Sequence, residues 1–144
     1  MTEWRVCKLK ELAYFNPVSL TAKNNLQFIN YLDTGNITKG KIDTIQYLNV
    51  LMDKVPSRAK RIVEKNDIVY STVRPNQEHY GIIKNPVDNM VVSTGFAVLR
   101  SKEEKCYSDF LYHFLTLPEN IEYLSNVAED STTAYPAITP DVIM

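Results

Sequence analysis

A chain of 144 residues, 44% hydrophobic and 23% charged, is long enough to bury one core and too apolar to be disordered. No apolar run nears the ~20 residues that span a bilayer, residues 1–15 hold no signal-peptide stretch, and Cys7 and Cys106 stand apart, which argues against a membrane protein, a disulfide framework or a structural zinc and suits a reducing cytoplasm. The net charge of −1 hides an asymmetry: residues 1–100 carry 14 Lys and Arg against 9 Asp and Glu, and residues 101–144 carry 2 against 8.

Trp4, Val6 and Leu9 alternate as in a short strand, then Leu9, Leu12 and Ala13 continue at helical spacing until Asn16-Pro17. Residues 19–27 read as a polar loop. Phe28–Leu32 reads as a strand closed by a turn at 33–36. Residues 37–45, with Lys39, Gly40 and Lys41, read as a polar excursion, and 47–52 as an apolar run of ambiguous type. Arg61, Ile62 and Val63 predict a short strand. Residues 68–73, rich in β-branched and aromatic side chains, predict the clearest strand of the chain, interrupted by Arg74-Pro75-Asn76. Residues 80–83 and 90–99 predict two more strands around an Asn85-Pro86 turn.

From Ser108 the period changes. Phe110, Leu111, Phe114 and Leu115 share one helical face. Thr116 and Glu119 have capping-box spacing, with Pro118 in the first turn of a second helix lined by Ile121, Leu124 and Val127 or Ala128. The expected architecture is a strand-rich α+β domain, with a twisted, mostly antiparallel sheet and a C-terminal helical pair.

Three polar constellations could carry chemistry. Lys54, Arg58, Lys60, Arg61 and Lys65 are opposed only by Glu64, and such side chains neutralise phosphates without reading sequence; a solvated basic loop has the same composition. Pro56-Ser57 suggests a turn that gathers some of them. Arg74, Asn76, Gln77, His79 and Tyr80 follow the clearest strand: Arg pairs with guanine, Asn or Gln with adenine, and Tyr stacks or packs on sugar. A polar hairpin tip is the plain alternative. Ser131, Thr132, Thr133 and Tyr135 offer hydroxyls for phosphate contacts, although helix caps or turns use them more often. The basic part can face a polyanion while the acidic remainder faces away or meets another protein.

Catalytic patterns are weak. No Gly-rich phosphate loop or GxSxG occurs, His113 reads as a helix-surface residue, and both Cys read as core thiols. Asp88 followed by Glu103-Glu104-Lys105 is a distant echo of a metal-dependent nuclease, but SKEEK reads as a solvated turn.

Four internal blocks and the tail are similar to the target-recognition domain of type I restriction-modification specificity subunits. They are Trp4 to Ala13, Tyr31 to Ile37, Pro56 to Pro75 and Ser93 to Leu99, with the tail Ser131 to Ile138. The third, PSRAKRIVEKNDIVYSTVRP, is the most specific. One departure is Asn66, where the family has Gly, so that turn is expected to use a left-handed Asn.

The resemblance implies a non-catalytic, sequence-specific double-stranded DNA-binding unit that reads half of a bipartite site through the major groove. It implies methyltransferase (M) and restriction (R) subunits as partners, which methylate adenine with S-adenosylmethionine and cleave with ATP and Mg²⁺. No cofactor or metal is expected in this chain. Residues 1–144 would be a single target-recognition domain, the N-terminal one, ending before the family's long spacer helix. By chemistry, Arg74, Asn76, Gln77 and Tyr80 are the base-side candidates, and Lys54, Arg58, Lys60 and Arg61 the phosphate candidates. Thr132, Thr133 and Tyr135 are secondary, since the family places DNA-proximal loops there. A protein-interaction module with an incidental basic face is the alternative, and the nuclease is third.

Overall fold

Alternation along the strands sorts the apolar side chains into three layers of core. The computed structural model describes residues 9–21, 24–102 and 106–129. A one-turn helix α1 (Leu9–Leu12) leads into β1 (Ala13–Phe15), β2 (Phe28–Leu32), a 3-10 turn (Thr34–Asn36), β3 (Ile37–Thr38), β4 (Lys41–Ile42) and β5 (Gln46–Asn49). Then come β6 (Ala59–Ile62), β7 (Ile68–Ser71), a second 3-10 turn (Pro75–Gln77), β8 (Tyr80–Ile82), β9 (Met90–Ser93), β10 (Phe96–Ser101), α2 (Ser108–Leu115) and α3 (Pro118–Glu129). Two four-stranded sheets form, ordered β1-β10-β7-β8 and β5-β2-β9-β6, and β3 pairs with β4 as a separate hairpin. Among the described residues only β2 and β9 pair in parallel. The expected strand-rich α+β fold with a C-terminal helical pair is therefore met.

On β7 and β10, Ile68, Tyr70, Ala97 and Leu99 pack with Leu111, Leu115, Ile121 and Leu124 of the helices. The alternate residues Val69, Phe96 and Val98 pack with Leu32, Met90 and Val92 of the other sheet. Beyond that sheet, Ile29, Tyr31, Ala59 and Val91 meet Leu20, Leu26, Leu48 and Val55 of the covering loops. Both central strands of the first sheet are thus buried on two faces, which is why they read as continuous apolar runs. Each fully buried large aliphatic contributes about 1.5–3 kcal/mol. No helix among the described residues is long and apolar enough to cross a membrane.

Several local expectations change. Residues 90–99 are not one strand: Thr94-Gly95 turns the chain from β9 in one sheet into β10 in the other. Residues 37–45 contain a hairpin, because Lys39 (φ 49°) and Gly40 (φ 82°) both take the left-handed region, as a two-residue hairpin turn of the right twist requires. The strand from Ile68 stops at Ser71, whose hydroxyl bonds the Val73 carbonyl and accepts the Val73 N–H. The run after Tyr47 bends at Asn49, whose Oδ1 accepts the N–H groups of Leu51 and Met52.

Thr116 caps no helix N-terminus: it ends α2 and its hydroxyl donates back to the Tyr112 carbonyl at 2.9 Å. Only Leu111 and Leu115 of the expected helix face are buried, while Phe110 and Phe114 point to solvent. Cys106 is partly buried against the helix-side core, and Cys7 lies outside the described residues. The expected Asn66 turn is as anticipated, with φ 72°.

Candidate nucleic-acid interface

Strand polarity gathers one set of loops. Tyr31 pairs with Gln46, Ser93 with Ala59, Ser71 with Phe96 and Tyr70 with Tyr80. Because β2 and β9 run parallel, the C-terminal ends of β2, β7 and β9 lie with the N-terminal ends of β5, β6, β8 and β10. That end therefore carries the 33–36 turn, Arg58, the 72–79 loop and Thr94-Gly95.

Hydrogen bonds lock these pieces together. Thr94 N–H donates to the Arg58 carbonyl at 2.9 Å, and the Thr72 N–H and hydroxyl donate to the Gly95 carbonyl at 2.9 and 3.1 Å. Gly95 lies so close to Thr34 that a Cβ there would sit 2.8 Å from the threonine methyl. The Asp33 carboxylate accepts the Thr34 N–H and the Tyr31 hydroxyl. Burial raises the Tyr31 pKa above its ordinary value, with the Arg58 charge opposing.

The 72–79 loop presents its tip rigidly. Pro75 is buried, and Asn76 and Gln77 are exposed on the 3-10 turn. Arg74 (φ 47°) and Glu78 (φ 59°) bracket that turn, both left-handed without being glycine, at a cost of about 1–2 kcal/mol each. Strain of this kind persists where surroundings over-determine the backbone, and it concentrates at functional sites. Helix α3 packs directly on the turn and braces it. Helix α3, with Glu119 and Glu122, therefore does not simply face away from the loop end, as charge alone had suggested. The His79 Nδ1 lies 2.7 Å from the Ile37 carbonyl; a carbonyl only accepts, so Nδ1 carries a proton and donates it.

Four of the expected contact residues need correction or lie out of view. Tyr80 is 8% exposed, stacked on Tyr70 at 5.6 Å and edge-on to Tyr112 at 5.9 Å. Strand alternation on β8 turns it into the helix-side core, so it cannot stack on a base or a sugar. Thr132, Thr133 and Tyr135 lie outside the described residues.

The basic cluster also divides. Arg58 and Lys60 are exposed at the start of β6, and Lys54 is exposed on the connection leading there, behind the expected turn at Pro56. Arg61 is half-buried, with its Nε enclosed and lacking a partner, and desolvation lowers its pKa. It is a poorer phosphate ligand than Arg58. Lys65 belongs to the opposite end, beside the turn where Asn66 N–H meets the Ile83 carbonyl. Sequence reasoning missed the β3–β4 hairpin, which brings exposed Lys39 and Lys41 to the same end as Arg58. Its signal was Lys39-Gly40 between Ile37-Thr38 and Lys41-Ile42, with a β-branched residue in each pair.

Among the described residues no three His, Cys, Asp or Glu side chains are grouped to hold a metal ion. Asp88 is exposed, and Glu103 and Lys105 lie outside the described residues.

The family model described as "Type I restriction modification DNA specificity domain" matches residues 1–138. The chain belongs to this family. It is 31% identical to the HindI specificity subunit of Haemophilus influenzae over 145 residues, which is 99% of this chain and 30% of that protein. Its fold superimposes with a TM-score of 0.76 and 26% identity on a chain from a structural study of complex assembly and conformational transition of the type I R-M system, covering 95% of this chain and 35% of that one. The HsdS subunit of Thermoanaerobacter tengcongensis gives a TM-score of 0.68 at 25% identity, over 91% of this chain and 36% of that one. The chain thus spans about a third of the length of the specificity subunits it matches. The resemblance drawn from the PSRA and TGF blocks is confirmed at the level of family and fold, and those blocks are the segments that build the loop end: β6 with Arg58, β7 with the 72–79 loop, and the Thr94-Gly95 turn.

Proposed function

We propose that this chain is a sequence-specific double-stranded DNA-binding domain that reads one half of a bipartite restriction-modification target and catalyses nothing itself. The observation that carries this reading is one rigid loop end, in a DNA specificity family, that brings Arg58 together with the exposed, strained turn bearing Arg74, Asn76 and Gln77. Asn76 and Gln77 have the paired donor and acceptor that adenine matches in the major groove, and Arg74 the fork that guanine matches. Arg58, with Lys60 and Lys54 behind it, supplies sequence-independent phosphate affinity.

The domain works in the cytoplasm as one target-recognition unit. Methyltransferase subunits methylate the site and a restriction subunit cuts, and those subunits hold the S-adenosylmethionine, ATP and Mg²⁺. The test is a selection from randomised duplex DNA, scored across a salt series, with and without the methyltransferase subunit. Enrichment of a motif of a few base pairs supports the reading. Absence of any enriched motif under both conditions overturns it.

A protein-interaction module is favoured by one feature, the exposed Tyr107, Phe110 and Phe114 along α2. That face is compatible with a DNA reader that docks on a methyltransferase subunit. DNA binding that vanishes at moderate salt, with partner binding intact, would make interaction the primary role.

A further inference from the structure

The β3–β4 hairpin is fastened to the reading turn at several points. Lys39 N–H donates to the Glu78 carbonyl at 2.9 Å and Gly40 N–H to the Tyr80 carbonyl at 2.8 Å. His79 Nδ1–H donates to the Ile37 carbonyl at 2.7 Å, and the Thr38 hydroxyl lies 3.3 Å from the same nitrogen. The Lys39 ammonium lies 3.1 Å from the Glu78 carboxylate. Gly81 permits this approach, since a Cβ there would sit 2.5 Å from Ile37 Cδ1 and 3.3 Å from the Gly40 backbone.

The register then decides where the charges point. Thr38 pairs with Lys41, and residues directly opposite in a hairpin share a face. Thr38 reaches His79, so Lys41 starts on the face that flanks the reading turn. Lys39 is already balanced by Glu78. Lys41 is exposed, on the hairpin that Thr38 and Lys39 tie to His79 and Glu78 at the end of the 72–79 loop. Asp43 is the exposed acidic residue nearby on the chain; its N–H is held by the Asn36 carbonyl beyond the strand pair.

We propose that the β3–β4 hairpin is a second DNA-contacting arm, in which Lys41 engages a backbone phosphate beside the bases faced by the Pro75–Gln77 turn. The inference rests on the DNA-binding reading above and adds to it an element and a residue. Its function would be register: a phosphate held by an arm tied to the reading turn fixes how that turn enters the groove.

The test measures how log affinity depends on log salt for the full chain on its selected duplex and on a scrambled one. Lys41→Ala should weaken both duplexes by the same factor and make the salt slope shallower by about one unit. Gly81→Ala, whose Cβ crowds Ile37 Cδ1 and the Gly40 backbone, should loosen the hairpin on β8 and make the slope shallower, by less than Lys41→Ala, with the thermal transition still cooperative. Lys65→Ala, at the opposite end, should leave the slope unchanged. A wild-type slope retained in Lys41→Ala overturns the arm while leaving the DNA reader standing. So does an equal loss in Lys65→Ala, because the effect would then be long-range charge and not contact. Wild-type protein with no salt-dependent duplex binding overturns the DNA reader itself, and the arm with it.

Discussion

Asp67 is fully buried, and its neighbours saturate its carboxylate oxygens. Arg100 Nε and Nη2 each donate to it at 2.9 Å, and Glu64 N–H donates at 2.9 Å. The same bonds raise the Arg100 pKa, the hydrogen bond to Asp67 being the main cause. This fork ties the last turns of β10 to the entry of β7, away from the loop end. Asp67→Ala removes both short hydrogen bonds from the partly buried guanidinium, leaving it only the more exposed Glu64 carboxylate at 3.2 Å, and should cost about 3 kcal/mol, read as a lowered urea midpoint with unchanged slope. One residue earlier, Asn66 holds φ 72° and accepts Lys84 Nζ at 3.3 Å. Asn66→Ala should cost about 1–2 kcal/mol and Asn66→Gly much less, since glycine meets no Cβ penalty there. Equal losses for the two variants would show that the side-chain contact matters and the backbone conformation does not.

At the scale of elements, the loop end separates two chemistries. Arg58 stands at the start of β6, its carbonyl anchored by Thr94; it is the proposed phosphate contact, apart from the Pro75–Gln77 turn proposed to read bases. Arg58→Ala should weaken cognate and scrambled duplex alike and make the salt slope shallower by about one unit. Asn76 rides on the 3-10 turn that α3 braces. Asn76→Ala should cost ~1–3 kcal/mol on the cognate duplex, leave scrambled DNA untouched and relax one position of the motif. Binding curves in which both variants act identically on both duplexes would remove this division of roles.

At the scale of the molecule, the first sheet and the helical pair enclose a tyrosine cluster. Tyr70, Tyr80 and Tyr112 contact one another between the first sheet and the helices. Burial raises all three phenol pKa values, that of Tyr112 to about 12. Their protons are therefore held more tightly in the folded chain than in the unfolded one. Between the unfolded value near ~10 and the raised folded values the unfolded state binds fewer protons, so stability falls as pH rises through that window. Below about pH 10 these groups contribute no pH dependence. Denaturation midpoints against pH, followed with tyrosinate absorbance, check this. Buried tyrosines that ionise at the ordinary value with the fold intact would contradict it.

Most of the strands, the helical pair and the family were legible in the chain itself, because β-branched runs such as 68–71, the i,i+4 pair Leu111 and Leu115, and the PSRA block are local patterns. Arg74, Asn76 and Gln77 were legible for the same reason: proline and amides after a buried strand mark an exposed turn. Only the tertiary structure decided that residues 90–99 cross between two sheets, since a break as short as Ser93-Thr94-Gly95 does not by itself show that the chain changes sheets. Only it turned Tyr80 inward, because which face of β8 is buried depends on where the helices pack. It alone brought the 37–42 hairpin, 32 or more residues earlier in the chain, onto the 74–79 loop. Sequence determines local conformation through backbone preferences and periodicity, whereas the charges that share a surface are set by strand order and register, which residues distant in the chain fix together.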